Sequence, residues 1–96
     1  MALNWTKAQA QLEQLGRAGS EAEELKRQLA AYRRQLNRAW SAGEVTYFNR
    51  TIDDLSARCG QLERSLETLR RDMDRAMEDI RAEEAQEEAA ASPAEG

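Results

Sequence analysis

From Val45 onward the apolar positions fall at Val45, Phe48, Ile52, Leu55, Cys59, Leu62, Leu66, Leu69, Met73, Ala76 and Ile80, in steps alternating between three and four residues. That spacing keeps one stripe of a helix apolar over many turns and predicts a heptad seam suited to packing against another helix. The next two seam positions are Glu83 and Glu87, so the stripe ends at Ile80. A helix over about 42–88 is expected, solvated and frayed beyond about Arg81, followed by a disordered acidic tail over 89–96 that holds Ser92 and Pro93 and no basic group.

An earlier seam with the same spacing runs through Ala22, Leu25, Leu29, Tyr32, Leu36 and Ala39 and predicts a first helix over about 4–39. Upstream, Trp5, Ala8, Leu12 and Leu15 form a further stripe, but its register leads on to Gly19 and Lys26. A break or bend near 16–19 is therefore expected, since an interior glycine costs about 1 kcal/mol relative to alanine. Ser20 with Glu23 offers a capping box to restart the helix.

Between the two main seams, Arg38-Ala39-Trp40-Ser41-Ala42-Gly43-Glu44-Val45 reads as a helix stop followed at once by a start, with the turn at 40–43. Ser41 and Glu44 match the reciprocal capping box, in which each side chain satisfies a backbone N–H of the first turn. Trp40 before the cap and Val45 at the fourth helical position match a hydrophobic staple. A connection this short favours antiparallel neighbours. Charge agrees: residues 1–40 carry seven basic and four acidic groups, residues 41–96 seven basic and fourteen acidic, so the halves attract. The rival is one uninterrupted helix through Trp40 to Glu44. The expected fold is all-α, an antiparallel helical hairpin over 1–88. Off-seam Tyr47 and Met77 widen the stripe, and two helices leave their flanks wet, so pairing into a four-helix bundle is expected.

Composition narrows the chemistry. The 96 residues include no His and one Cys, Cys59, which excludes Cys/His zinc sites, Cys-His or Ser-His nucleophile pairs and an internal disulfide. The carboxylates are scattered beside arginines as solvated charge, so neither a catalytic nor a cofactor or metal site is assigned, and no small-molecule substrate is expected. Arg33-Arg34 and Arg70-Arg71 do not make a phosphate-binding face in a chain of net charge −4, so no nucleic-acid partner is expected. No run approaches the roughly 20 apolar residues of a membrane span, and residues 1–10 lack a Sec-type apolar core. Cys59 at a seam position reads as a small buried hydrophobe, with a cross-link between two copies as the alternative. Gly60 is either tolerated there or permits a close backbone approach. Trp5 reads as a cover for the far end of the hairpin, beside Met73 to Ile80.

With two amphipathic helices joined at Trp40-Ser41-Ala42-Gly43 and followed by Tyr47 and Phe48, the chain resembles the WXG-type, early-secreted-antigen-like hairpins exported by type VII secretion systems. The glycine comes one residue later than in the strict Trp-x-Gly triplet, and no Tyr-x-x-x-Asp/Glu export signal follows Tyr32 or Tyr47. Divergent members that assist toxins with a helical LXG targeting domain often lack one or both features, and Ile80-Arg81-Ala82-Glu83-Glu84 is similar to their tails. The resemblance implies a non-enzymatic protein that forms a homodimer or pairs with a homologous hairpin or an LXG-type targeting domain. It implies secretion without a Sec signal peptide, or residence in the cytoplasm before export. Trp40 and Gly43, with Ser41 and Glu44, would then form the surface read at the tip. The helical interface would comprise Leu25, Leu29, Tyr32, Leu36, Val45, Phe48, Ile52, Leu55, Cys59, Leu62, Leu66, Leu69, Met73 and Ile80. The alternative is a cytosolic coiled-coil scaffold or adaptor, or a secretion chaperone, that is not exported.

Overall fold

The structure, a computed structural model, describes residues 3–91. Two helices account for nearly all of them, α1 over Trp5–Ala39 and α2 over Ala42–Ala91, folded back on each other as an antiparallel hairpin. The hairpin measures 84 × 18 × 16 Å with a radius of gyration of 22.8 Å. A compact domain of this chain length would have a radius near 13 Å. The molecule is a thin rod, with only one layer of contacts to shelter apolar groups.

Helix α1 starts where Asn4, in an extended conformation, accepts a hydrogen bond from the Lys7 amide at 3.1 Å. That N-cap supplies one of the acceptors a helix start lacks. At the other end the Trp40 amide donates to the Leu36 carbonyl at 3.0 Å, and Arg38 sits in the last turn, where a cation favours the helix dipole. Between these ends α1 is continuous, and the break expected near 16–19 is absent. Ser20 does not cap a restart; its hydroxyl donates to the Gly16 carbonyl at 3.2 Å within the running helix. The physical reason lies in the register. Trp5, Leu12, Gly19, Lys26 and Arg33, together with Ala8, Leu15, Ala22, Leu29 and Leu36, are all buried or half-buried. One heptad frame spans the whole of α1, with Gly19 and Lys26 as inward members of it.

The connection is tighter than the turn predicted at 40–43. Only Trp40 and Ser41 lie outside the helices, and Gly43 belongs to the first turn of α2. Helix α2 then runs past the predicted end at 88, so residues 89–91 are helical rather than part of a tail, and the rest of that predicted tail lies outside the described residues. Its final turns are exposed apart from a half-buried Glu84. No helix among the described residues is long and apolar enough to cross a membrane.

The core is thin. Ala8, Leu12, Ala22, Ile52 and Cys59 are buried, and three of these five are small. Each fully sheltered Leu or Ile contributes about 1.5–3 kcal/mol. The free Cys59 thiol is packed as a small hydrophobe, as its seam position predicts.

Candidate interaction surface

Helix α2 presents two lines of residues to α1. One is the apolar line Val45, Ile52, Cys59, Leu66, Met73 and Ile80; the other, four residues further on in each heptad, is the mostly polar line Asn49, Ser56, Glu63, Arg70, Met77 and Glu84, half-buried except for the exposed Arg70. The matching lines on α1 are Ala8, Leu15, Ala22, Leu29, Leu36 and Trp5, Leu12, Gly19, Lys26, Arg33. Two basic members of this interior are paired across to the other helix, whereas Asn49 Oδ1 is buried without a hydrogen-bond partner. Lys26 Nζ lies 3.1 Å from Glu63 Oε1, and Arg33 donates to both carboxylate oxygens of Asp53 at 2.9 and 3.3 Å. Glu63 Oε1 is buried and outside hydrogen-bond angles, so its compensation is the ammonium charge itself. The long Lys and Arg stems cover the neighbouring apolar surface while their heads reach these acids.

The predicted interface residues consequently divide. Leu29, Leu36, Val45, Ile52, Cys59, Leu66, Met73 and Ile80 turn toward the opposite helix, Leu25, Tyr32, Leu55, Leu62 and Leu69 are exposed, Leu62 by 50%, and Phe48 is half-buried against Trp40. The hairpin buries one apolar line per helix beside a partly polar one and leaves the second apolar line outside.

These outside lines share one broad side of the rod. On α1, Leu25 and Tyr32 stand three residues after the buried line of Ala22 and Leu29, with Lys26 and Arg33 four after it. On α2, Leu55, Leu62 and Leu69 stand three after Ile52, Cys59 and Leu66, with Ser56 and Glu63 four after. The offset is the same on both helices. In two right-handed helices packed antiparallel, equal offsets from the contact line fall on the same side of the pair. The opposite broad side is bridged by the Lys26–Glu63 and Arg33–Asp53 pairs. One side of the hairpin is closed by ions and the other presents an apolar face.

At the tip, Trp40 stacks edge-on against Phe48 with ring centroids 5.2 Å apart, and Phe48 meets Tyr47 in the same manner at 6.1 Å. Phe48 is therefore the aromatic partner of Trp40, where a staple with Val45 is predicted. Trp40 and Tyr47 remain largely exposed. The Ser41 hydroxyl donates to Glu44 Oε2, a side-chain pair in place of the predicted reciprocal bonds to backbone amides. That bond, followed by one from the Glu44 backbone amide, holds the Glu44 carboxyl below the usual range. At the far end the Arg81 guanidinium lies over the Trp5 ring, 5.1 Å from its centroid, as expected of a tryptophan covering that end. Gly60 has only the tip of Arg64 nearby, at 3.6 Å, so no backbone approaches it within the chain.

The Asn4 cap and the inward Lys26, Arg33 and Glu63 are the structurally important residues that sequence reasoning missed. Asn followed by an unbroken helical pattern is a visible cap signal; the inward charges become legible only once the partner helix and its acids are known. Set against protein-family models, curated proteins and solved structures, the chain matches none of them.

Proposed function

We propose that this chain is a non-catalytic pairing protein of a type VII secretion system, acting through helix packing with a second copy, a homologous hairpin or the helical targeting domain of an LXG-type toxin. The observation that carries the pairing is the one-sided apolar face of Leu25, Tyr32, Leu55, Leu62 and Leu69 on a hairpin whose own core is thin. Large apolar side chains exposed together on one side of a molecule are the pattern a protein interface presents. The secretion assignment is supported by the resemblance at Trp40 and the exposed aromatic tip it forms with Tyr47 and Phe48.

Co-expression with the products of adjacent genes tests the reading. The expected result is co-purification with a helical leader domain and appearance outside the cell dependent on the secretion ATPase. Trp40→Ala is expected to abolish export while helicity and pairing persist. Export by that variant at the wild-type level would overturn the role given to the tip. A second reading, an adaptor or secretion chaperone that stays inside the cell, is favoured by the helical conformation of Gly43, which departs from a turn built on that glycine. Under it the same leader domain binds but the protein is retained.

A further inference from the structure

The end of the rod that carries the aromatic side chains is also its basic end. Residues 34–52, which hold the reversal, include Arg34, Arg38 and Arg50 against the single acid Glu44, in a chain of net charge −4, so the remaining residues carry −6. All three arginines are exposed, and none is in an ion pair among the described residues. Arg33, just below them, differs in being held by Asp53. The tip is thus a small cationic region on an acidic rod.

Height along the axis relates these groups to one another. Trp40 stands at the apex, 49% exposed, and Tyr47, 68% exposed, lies about 8 Å below it at 1.5 Å per residue. By the same measure Arg38, Arg34 and Arg50 stand about 3, 9 and 12 Å below the apex. Trp and Tyr rings, apolar in body and polar at one edge, settle at the level of lipid headgroups, and peripheral segments bury their apolar parts about 5–10 Å deep there. With the rings at that depth, the guanidinium groups reach the phosphate layer.

Size and shape decide what such an end can hold. The rod is 18 × 16 Å across, so its end offers roughly 300 Å², against about 800 Å² per partner in a stable protein interface. The apex is a convex two-residue turn, and a bilayer surface conforms to it where a folded partner would need a matching hollow. Charge sets the orientation: lying flat would bring the acidic remainder of the chain against an anionic surface, whereas end-on contact presents the basic end alone.

We infer that the tip docks end-on and peripherally against an anionic lipid surface, with Trp40 and Tyr47 among the headgroups and Arg34, Arg38 and Arg50 on their phosphates. The contact uses the end of the hairpin and not its broad face, so it does not depend on the pairing proposed above. It leaves the apolar side and the far end with Trp5 directed away from the bilayer.

The probes are vesicles of phosphatidylcholine and phosphatidylglycerol in equal parts, and vesicles of phosphatidylcholine alone. The protein is expected to co-sediment with the mixed vesicles, less so as salt is raised, and not with the neutral ones. In Trp5→Phe protein, where Trp40 alone reports, tryptophan emission is expected to shift to shorter wavelength on the mixed vesicles; in Trp40→Phe protein, Trp5 is expected not to respond. Arg34→Gln, Arg38→Gln and Arg50→Gln together are expected to weaken binding about a hundredfold, at about fivefold per arginine, with helical circular dichroism unchanged. Equal binding to neutral vesicles, or a folded triple variant that binds as well as wild type, overturns the inference. A response from Trp5 overturns the end-on orientation, and release of a trapped dye overturns peripheral docking. If the wild type ignores both vesicles while the triple variant loses its leader domain or its export, the tip reads an acidic protein and the lipid surface is refuted. Vesicle binding by a chain that binds no leader domain leaves this inference standing and removes the proposed function.

Discussion

The same chemical truncation, Leu to Ala, is expected to have two different consequences according to which apolar line carries it. Leu12 is 6% exposed and lies between the helices, so Leu12→Ala removes sheltered methyl groups and leaves a gap. Such changes cost 2–5 kcal/mol; a hairpin one layer thick closes around the gap readily, which places this one at about 2–3 kcal/mol. Leu62 is 50% exposed, so within one hairpin Leu62→Ala forfeits only part of its burial, about 1 kcal/mol at roughly 0.8 per CH₂. Under the proposed pairing, the remainder of its contribution arises on association. Urea unfolding followed by helical circular dichroism, at about 1 and about 100 μM protein, separates the two, because coupling to association makes stability depend on concentration. Leu12→Ala should lower the midpoint by about 1–2 M, taking a slope of 1–3 kcal/mol per M, and should leave the wild-type rise with concentration intact. Leu62→Ala should lower it less at the dilute end and abolish that rise. If Leu62→Ala is as damaging as Leu12→Ala in dilute solution, or if the rise survives it, the division of the seam into inner and outer lines is wrong.

Three further outcomes are expected. Gly19→Ala should raise the melting temperature, by an amount corresponding to about 0.8–1 kcal/mol, since nothing lies within 4 Å of the added Cβ and the helix is continuous there; a lower melting temperature would show that a neighbour needs that space. Lys26→Glu should destabilise by more than the roughly 0.2–1 kcal/mol of an exposed ion pair, because it places two carboxylates together, and adding Glu63→Lys should restore most of the loss; a double-mutant cycle with no coupling would refute the pairing. Glu44 titrates below its usual range in the folded chain, so its contribution is fully present at neutral pH and is lost as pH falls through that lowered value. Thermal melts over pH 7 to about 3 should therefore show wild type and Glu44→Gln converging on acidification, and a constant difference between them would contradict the Ser41–Glu44 bond as its source.

Both helices, their antiparallel return and the position of the reversal were legible in the chain, because heptad spacing and the Trp40-Ser41 interruption are local signals. The orientation of each helix about its own axis was not. Periodicity identifies which residues share a stripe, but the direction in which the stripe points depends on the neighbour. In this hairpin each helix is turned about one-seventh of a revolution off the centre of its stripe, bringing Lys26, Arg33 and Glu63 inside and leaving Leu25, Tyr32, Leu55, Leu62 and Leu69 out. The expected break near Gly16 and Gly19 followed from treating Lys26 as incompatible with an inward position. Glu63 removes that objection, and Glu63 lies 37 residues further along the chain. The aromatic tip was legible in its residues but not in its pairing, since Trp40 has Phe48 one turn beyond Val45.

The reversal at Trp40 and Ser41 is made without any left-handed residue: no described residue has a positive φ, and a side chain added at Gly43 would meet nothing within 4 Å. Bending the chain therefore places little demand on which amino acids stand at the apex. Substitutions there are free to follow whatever the apex touches, so a lineage of such hairpins can exchange binding partners at this end while the shaft stays as it is.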